Sequence, residues 1–215
     1  MTPALKYVIF SNLTGTQRDA VQAIYEEAFP AWERMPFDNL IRRNNDQSRL
    51  QLAMIQGEGV LGLAVASRLR AVPWTFLEYF AVSRAWRNQG LGGVLWDAMI
   101  RRLGKQAFPM VLEVEPPEEE PPRSPGRTIR ERRIEFYRRR GANRLDVPNY
   151  RVPHQSDEGT DKLALLAVPL EGARAPTNGG LRDLVRSLYV EGYGLPDDHT
   201  LLVGALDQLA AGASP

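Results

Sequence analysis

Hydrophobic and polar positions follow two different periods along the chain, and these periods predict where helices and strands lie. After Gly90, apolar residues recur at three- and four-residue spacing until Gly104, which is typical of an amphipathic helix. Residues 50–55 and 60–67 are strand-like runs, and the intervening Gln56-Gly57-Glu58-Gly59 is typical of a hairpin turn. The chain therefore contains both kinds of element, and their order helps to define its fold.

The same patterns along the whole chain predict the element order β, α, α, β, β, β, α, β, α, β, β, which indicates an α/β fold with a mixed sheet. A capping box formed by Thr14 and Gln17 marks the start of the first helix, and Pro30 marks its end. A segment rich in proline and glutamate, 116–126, is expected to be a loop. The other predicted strands are 7–10, 74–82, 110–115, 143–150 and 162–169, and the other predicted helices are 37–43 and 129–140.

The end of the chain has a different character. A linker of small residues follows Glu171 and leads to two predicted helices, at 181–189 and 199–209. Their apolar positions are too few to form a core alone. We therefore expect a main domain over residues 1–170 and a C-terminal linker and helical extension over residues 171–215.

Composition narrows the classes of protein to which the chain can belong. It has 215 residues, a net charge of +1 and 43% hydrophobic residues, so no overall field would recruit nucleic acid or an anionic membrane. The absence of cysteine excludes disulfides and a cysteine nucleophile, and the two histidines, His154 and His199, lie in surroundings that disfavour a metal cluster. No apolar run suits a signal peptide or a membrane span, so we expect a cytoplasmic protein with no metal.

One segment has the pattern of an anion-binding site. The predicted strand that ends in Phe80-Ala81-Val82 leads into the turn Arg87-Asn88-Gln89-Gly90-Leu91-Gly92-Gly93, which opens a helix. Main-chain N–H groups and the positive end of the helix dipole converge at such a turn, and glycines let a pyrophosphate approach the backbone. Arg87 can add a charge-assisted hydrogen bond. The alternative is a tight turn that only permits close helix packing; the phosphate-loop and dinucleotide motifs do not fit.

Two motifs in this sequence resemble those of one known family. The run Arg87-Asn88-Gln89-Gly90-Leu91-Gly92 resembles the R/Q-x-x-G-x-G/A motif of the GNAT superfamily of acyl-CoA-dependent N-acyltransferases. The run Glu135-Phe136-Tyr137-Arg138-Arg139-Arg140-Gly141-Ala142 is similar to the second motif of the family, a helix that ends in F-Y-x-x-x-G followed by F or A. The motifs occur in the order of the family, and the resemblance covers about residues 5–170.

The resemblance implies a splayed mixed β-sheet of about seven strands flanked by helices, with acetyl-CoA as the acyl donor. Main-chain groups of Phe80-Ala81-Val82 would then pair with the pantetheine arm, and amides of residues 88–93 would hold the pyrophosphate. Tyr137 matches the family position that protonates the departing thiolate. Without the motif, Tyr137 is better explained as a packing aromatic on an amphipathic helix.

The general base is open among several carboxylates. Glu78 stands two residues before Phe80, so both side chains lie on one strand face, and a carboxylate there could relay the proton of the amine. Glu113, Glu115 and Glu33 are rivals. Each of these carboxylates is also explained as a solvated or structurally paired group. We take Glu78 as the candidate base.

Nine arginines between residues 123 and 144 make the segment after the acidic loop strongly basic. Arg130 or Arg133 is expected to meet the 3′-phosphate of the cofactor, and we take Arg130 as the candidate. The alternative is a solvated helix face paired with Glu118–Glu120. Many members of the resembling family carry an asparagine at the position of Arg130, so this chain departs from the family pattern there.

Members of the resembling family select their acceptors largely through the first two helices and the late strands, so the resemblance implies that the acceptor side of the site lies in the loop of residues 29–36. Trp32 would form a wall and Glu33 would pair with a cationic amine, although a plain helix connection also explains the loop. Glu113 is a further candidate for substrate binding, and Tyr150 and His154 are candidates for the opposite wall. The acceptor would be an amine of a small molecule or a peptide, and its identity stays open.

The sequence therefore predicts transfer of an acetyl group from acetyl-CoA to a primary amine by direct attack. A non-catalytic acyl-CoA-binding sensor or regulatory module is the alternative. A third interpretation is an assembly protein that uses the C-terminal helices as an interface, and a homodimer is compatible with any of the three.

Overall fold

Seven strands form one sheet flanked by helices in a computed structural model, which describes residues 4–42, 48–104, 108–155, 157–170 and 178–211. The strands are β1 (Leu5–Ile9), β2 (Arg49–Gln56), β3 (Gly59–Arg68), β4 (Thr75–Val82), β5 (Met110–Val114), β6 (Asn143–Arg144), β7 (Arg151–Pro153), β8 (Thr160–Lys162) and β9 (Ala164–Val168). The helices are α1 (Gly15–Ala28), α2 (Phe37–Arg42), α3 (Leu91–Leu103), α4 (Pro125–Arg138), α5 (Asn178–Ser187) and α6 (Thr200–Ala211). The sheet order is β1-β2-β3-β4-β5-β9-β6, and β7 pairs with β8 separately. The predicted α/β fold with a mixed sheet of about seven strands is confirmed.

The chain divides into two units, and the first contains the N-terminal half of the sheet. This unit comprises Met1–Ser67, Leu77–Ala107 and Gln155–Asp157. Helix α1 begins at the predicted capping box, because Thr14 Oγ1 accepts from the Gln17 N–H and Gln17 Oε1 accepts from the Thr14 N–H, both at 3.2 Å. The buried side chains of α1 and α2 pack against β2, β3 and β4, among them Val21, Ile24, Tyr25, Phe37, Leu40, Ala53, Ile55, Leu63, Val65, Tyr79 and Ala81.

The hairpin of the first unit sets the backbone of β4 close to β3. Strands β2 and β3 are antiparallel, as the turn sequence predicts, and Gly57 in the turn has a left-handed φ of 60°. A Cβ at Gly62 in β3 would lie 2.6 Å from the main-chain oxygen of Ala81. Only glycine therefore allows this approach, which fixes the position of the last residues of β4.

The second unit contains the other half of the sheet and the C-terminal helices. It comprises Arg68–Phe76, Phe108–His154 and Glu158–Pro215. Strand β9 is antiparallel to both β5 and β6. The buried core includes strand residues such as Val111 and Leu165 together with seven residues of the C-terminal segment, which are Leu184, Val185, Leu188, Tyr189, Leu202, Ala205 and Leu206. The C-terminal segment thus supplies a large part of the core of this unit.

Three predicted boundaries are wrong, and each has a local cause. Helix α4 begins at Pro125 instead of residue 129, because Ser124 Oγ accepts from the Arg127 N–H at 3.0 Å and proline suits the first helical position. The loop expected at 116–126 is therefore shorter, and it contains a 3₁₀ turn at Pro117–Glu119. The strand expected at 143–150 pairs only over Asn143–Arg144, since Pro148 cannot donate to a ladder and Asn149 has a φ of 49°.

The last predicted strand and the first C-terminal helix also differ from expectation. The run 162–169 is divided, because the Leu163 N–H donates to the Tyr150 oxygen at 2.9 Å between β8 and β9. The helix expected at 181–189 is α5 followed by a π-helical turn at Leu188–Gly192. Arg43, at the predicted end of α2, and the linker residues 171–177 lie outside the described residues. None of the described helices has the length and apolarity needed to cross a membrane.

Candidate active site

Strand β4 leads to the glycine turn with two distinct faces. The side chains of Glu78, Phe80 and Val82 share one half-buried face, and the alternate residues, Ala81 among them, are buried on the other. The Phe80 ring contacts the Trp96 ring of α3 edge-on, with centroids 5.9 Å apart. This contact packs the second turn of α3 against β4.

The turn between β4 and α3 presents a row of main-chain N–H groups. Gly90 precedes α3 with a left-handed φ of 78°, and Asn88 has a φ of 63°, conformations that glycine and asparagine adopt most readily. The Gly93 N–H donates to the Gly90 oxygen at 3.0 Å. Within the described parts of the chain, no acceptor is found for the N–H groups of residues 88–92. These groups start a helix, so the turn has the chemistry of an anion site.

The space around this turn is open. No atom lies within 4 Å of the position that a Gly90 Cβ would take, and residues 84–90 are exposed. A diphosphate could therefore reach the N–H row without displacing protein atoms. The predicted pyrophosphate site thus fits the local geometry, although the Gly93 amide already has a partner within the helix.

Side chains of the turn also make hydrogen bonds that stabilise its conformation. Arg87 Nε donates to the Val82 oxygen at 3.0 Å, and its Nη2 lies 3.4 Å from the Glu27 carboxylate of α1. Glu27 also accepts from the Arg84 N–H at 3.2 Å, and Gln89 Nε2 donates to the Ala85 oxygen at 3.4 Å. These contacts use two of the five N–H donors of Arg87, and its predicted contact with a phosphate stays a prediction.

Glu78, the candidate base, lies in a buried ion pair. Its Oε2 is 2.5 Å from Arg49 Nη2, and the two side chains are 10% and 3% exposed. The Ser67 hydroxyl donates to its other oxygen. Both oxygens of the carboxylate therefore have donors, which fix its orientation. The assignment of Glu78 as base is not tested by this arrangement.

The predicted acceptor loop is anchored to two buried tyrosines. The main-chain oxygen of Glu33 accepts from the Tyr79 hydroxyl at 3.4 Å, and the main-chain oxygen of Met35 accepts from the Tyr25 hydroxyl at 3.0 Å. Burial raises the pKa of both tyrosines, so both hydroxyls keep their protons near neutrality. The Trp32 oxygen accepts from the Gln155 N–H at 2.6 Å. The backbone of the loop is therefore anchored at Trp32, Glu33 and Met35, and the side chains of Trp32 and Glu33 are half-buried.

Tyr137 lies in the last turn of α4, as its motif predicts. Its side chain is 6% exposed and packs edge-on against Phe136, with ring centroids 5.1 Å apart. Gly141 follows with a left-handed φ of 84°, and the Ala142 N–H donates to the Tyr137 oxygen at 3.1 Å. The helix and its glycine ending therefore have the predicted form, while the role of the hydroxyl stays a prediction.

Arg130 is engaged by acidic groups of its own unit. It lies 3.2 Å from the Glu115 carboxylate and 3.1 Å from that of Glu120, and it donates to the Pro116 oxygen. Arg133 is 2.8 Å from Glu115. A phosphate would have to compete with two carboxylates for Arg130, which favours the paired helix face that we considered as the alternative.

Glu113 on β5 is held by two tyrosines, one of which the sequence analysis missed. The Tyr150 hydroxyl donates to its Oε1 at 2.6 Å, and the Tyr193 hydroxyl donates to its Oε2 at 2.5 Å. Burial and the nearby Glu113 charge raise the pKa of Tyr150 well above its ordinary value, so its hydroxyl stays a donor. Tyr193 follows a π-helical turn, and no periodic pattern in the sequence marks it. Within the described residues, no group of three or more His, Cys, Asp or Glu is placed to hold a metal ion.

The structure is that of an α/β protein in which strand β4 leads into an exposed glycine turn at the start of helix α3. Residues 18–121, just under half of the chain, match the family described as "Acetyltransferase (GNAT) family". The matched residues end before α4, so Tyr137 lies outside them. The first of the two motifs is therefore inside the matched segment and the second is not.

Individual relatives agree with this family. The candidate acetyltransferase YjbC of Bacillus subtilis (strain 168) is 34% identical over 91 residues, which are 42% of this chain and 42% of YjbC. The chain thus matches less than half the length of that relative. A candidate GNAT acetyltransferase structure from Bacteroides thetaiotaomicron has a TM-score of 0.68 and 18% identity, over 90% of this chain and 99% of that one. An aminoglycoside 6'-N-acetyltransferase complexed with coenzyme A has a TM-score of 0.58 and 13% identity, over 79% and 99% of the two chains. At these identities the structures show a shared fold alone.

Proposed function

We propose that the protein is an N-acetyltransferase that moves an acetyl group from acetyl-CoA to a primary amine by direct attack. The observation that carries this proposal is the open row of N–H groups at residues 88–92, at the start of α3. Such a row favours a diphosphate through hydrogen bonds and the helix dipole. Acetyl-CoA carries a diphosphate and supplies the activated acetyl thioester.

The first unit provides the groups that would hold the donor. Residues 88–92 would bind the diphosphate through their N–H groups, and the main chain of Phe80-Ala81-Val82 would hold the pantetheine arm. Glu78 is the proposed base, and the Arg49 and Ser67 contacts fix the orientation of its carboxylate. Among the rival carboxylates, Glu115 is paired with Arg130 and Arg133, which makes it the least suited to accept a proton.

The second unit provides the proposed acid. The hydroxyl of Tyr137 would protonate the departing thiolate. A positioned acid of this kind typically increases the reaction rate by about 10²- to 10⁴-fold. Because the chain has no cysteine, a cysteine acyl-enzyme is excluded, and the amine would attack the thioester itself. The acceptor is proposed to be an amine of a small molecule or a peptide, with Trp32, Glu33 and Glu113 as its contacts.

The alternative function is an acyl-CoA-binding sensor without turnover. The observation that favours it is the buried ion pair of Glu78 with Arg49, since protonation of Glu78 would leave Arg49 as an uncompensated buried charge. The two functions share the same diphosphate site and differ only in the chemistry beside it. Binding of CoA alone therefore cannot separate them.

The test is a mass-spectrometric screen of amines with acetyl-CoA, run on the protein and on Tyr137→Phe. For an enzyme, we expect acetylated product, a kcat at least tenfold lower in the variant, and equal CoA affinity by calorimetry. Tyr7→Phe, in β1, is the matched control and should change neither quantity. CoA binding without product from any amine would support the sensor, and absence of CoA binding would refute both functions.

A further inference from the structure

Glu27 lies in the last turn of α1 and contacts the segment that follows β4. Its Oε1 accepts from the Arg84 N–H at 3.2 Å and from Arg87 Nη2 at 3.4 Å. Arg84 begins the 3₁₀ turn Arg84–Trp86, and Arg87 is the first residue of the glycine motif. One carboxylate oxygen therefore contacts both parts of the segment that leads from β4 to the proposed diphosphate site.

This segment is little buried, so hydrogen bonds have a large part in fixing its conformation. Residues 84–90 are exposed, and Asn88 and Gly90 adopt left-handed φ values of 63° and 78°. Within the described residues, the hydrogen bonds that join 84–90 to an element other than β4 and α3 both go to Glu27. A segment with so few buried contacts opens easily unless such bonds hold it.

Helix α1 is a firm anchor for this carboxylate. The capping box fixes the start of the helix, and Val21, Ile24 and Tyr25 are at most 5% exposed in a core that also contains Ala81 of β4. The backbone that carries Glu27 is therefore held against the strand that precedes the turn.

The helix itself does not explain a glutamate at this position. Glu26 and Glu27 both lie in the last turn of α1, which has no basic residue. A carboxylate near the C-terminal end of a helix opposes the helix dipole. Glu26 has a partner on its own helix, since Gln22 Nε2 donates to it at 2.9 Å, whereas the contacts of Glu27 go to the turn. Glu27 thus stabilises the turn instead of its own helix.

The same contacts orient the guanidinium of Arg87. Its Nε donates to the main-chain oxygen of Val82 at 3.0 Å and its Nη2 donates to Glu27, so the planar group is held at two points. A guanidinium has five N–H donors, and these two contacts leave three for another acceptor. Without Glu27, the guanidinium would keep only its contact with Val82.

We propose that Glu27 is a positioning residue for the diphosphate site, which holds the turn and Arg87 in the conformation that binds the cofactor. The inference rests on the proposed function, since the diphosphate is that of acetyl-CoA. Preorganisation raises affinity because the turn does not have to be ordered on binding. The charge of Glu27 opposes an anion, so positioning and repulsion change CoA affinity in opposite directions, and the hydrogen bonds carry the larger effect.

Calorimetry of CoA binding to the full-length protein tests this role, with thermal unfolding recorded on the same samples. Glu27→Ala removes both contacts, so CoA affinity should fall about fivefold, and no further because each exposed charge contact contributes little. Glu27→Gln keeps an oxygen that can accept from both N–H groups, so its affinity should stay within about twofold of the parent protein. A residue that serves stability alone would lower the melting temperature without this loss of affinity.

Glu26→Ala is the matched control, because it changes the net charge by the same amount in the same turn of α1. Its CoA affinity should equal that of the parent protein. Unchanged or tighter binding in Glu27→Ala, a loss in Glu27→Gln as large as in Glu27→Ala, or an equal loss in Glu26→Ala would each overturn the positioning role. These outcomes refute only this inference, whereas absence of CoA binding by the parent protein refutes the proposed function as well.

Discussion

Gly92→Glu tests the diphosphate site through charge while favouring the helix that forms it. Gly92 lies in the first turn of α3, which has no acidic residue. A glutamate there interacts favourably with the helix dipole by about 0.3–1 kcal/mol and replaces a poor helix former. Gly92 is half-buried, so thermal unfolding has to show that the fold accepts the longer side chain. A diphosphate bound to the adjacent N–H groups would, however, lie close to the new carboxylate.

The size of the repulsion follows from the exposure of the turn. Each pair of unit charges about 4 Å apart in water interacts by about 1 kcal/mol. Two diphosphate charges thus give about 2 kcal/mol, which corresponds to about a 30-fold loss of CoA affinity. The loss should shrink as salt is raised, because screening shortens the reach of exposed charges.

Calorimetry of CoA binding at two salt concentrations is the measurement, with thermal unfolding recorded on the same samples. Gly15→Glu is the matched control, since Gly15 also lies in a first helical turn without acidic residues and has no atom within 4 Å of its Cβ position. CoA affinity should be unchanged in the control. Equal affinities in both variants and the parent protein would refute the assignment of the N–H row as the diphosphate site.

Three further predictions concern stability. Arg49→Leu leaves the Glu78 carboxylate buried without its ion-pair partner, so urea denaturation should show a loss of about 3–5 kcal/mol, much of it recovered by adding Glu78→Leu. Gly62→Ala, whose Cβ would lie 2.6 Å from a main-chain oxygen, should cost about 1–3 kcal/mol in thermal unfolding, whereas Gly204→Ala, in open space on α6, should gain about 0.5–1 kcal/mol. The raised pKa of Tyr150 means that the folded state holds this proton more tightly than the unfolded state. The free energy of unfolding should therefore fall as pH rises above 10.0, the ordinary tyrosine value. Alkaline unfolding followed by circular dichroism measures this fall, and a stability that does not change with pH would contradict the prediction.

Much of the fold could be predicted because its signals are local. The Thr14 capping box, the Gly57 hairpin turn and the period of α3 each depend on residues within one turn of each other, and each is confirmed. The boundaries that were wrong depend on exceptions to such rules. Pro125 lies in a proline-rich segment that predicts a loop. Proline is also favoured at the first position of a helix, here directly after the capping residue Ser124.

Only one part of the candidate site could be predicted from the sequence, namely the turn whose main-chain conformation requires glycine. The turn at Gly90 needs a left-handed residue, so its form was visible in the sequence. The partners of Glu78 and Arg130 were not, because pairing depends on which side chains the folded sheet and helices bring together. Arg49 is 29 residues from Glu78 along the chain, and Tyr193 is 80 residues from Glu113. No pattern along one sequence links positions so far apart.

The C-terminal segment gives the strongest test of how the chain is divided. If residues 171–215 form an extension, truncation after Leu170 should leave the rest folded, and an assembly role would show as loss of an oligomer alone. The structure supports a different outcome, because α5, α6 and the π turn supply seven of the sixteen buried residues in the core cluster of the second unit. Removing even one large buried side chain costs about 2–5 kcal/mol, and whole domains are stable by only about 5–15 kcal/mol. We therefore expect the truncated chain to lose cooperative unfolding and its dispersed NMR signals for the second unit; a truncated protein that still melts cooperatively and binds CoA would show that the segment is the separate extension that the sequence pattern predicts.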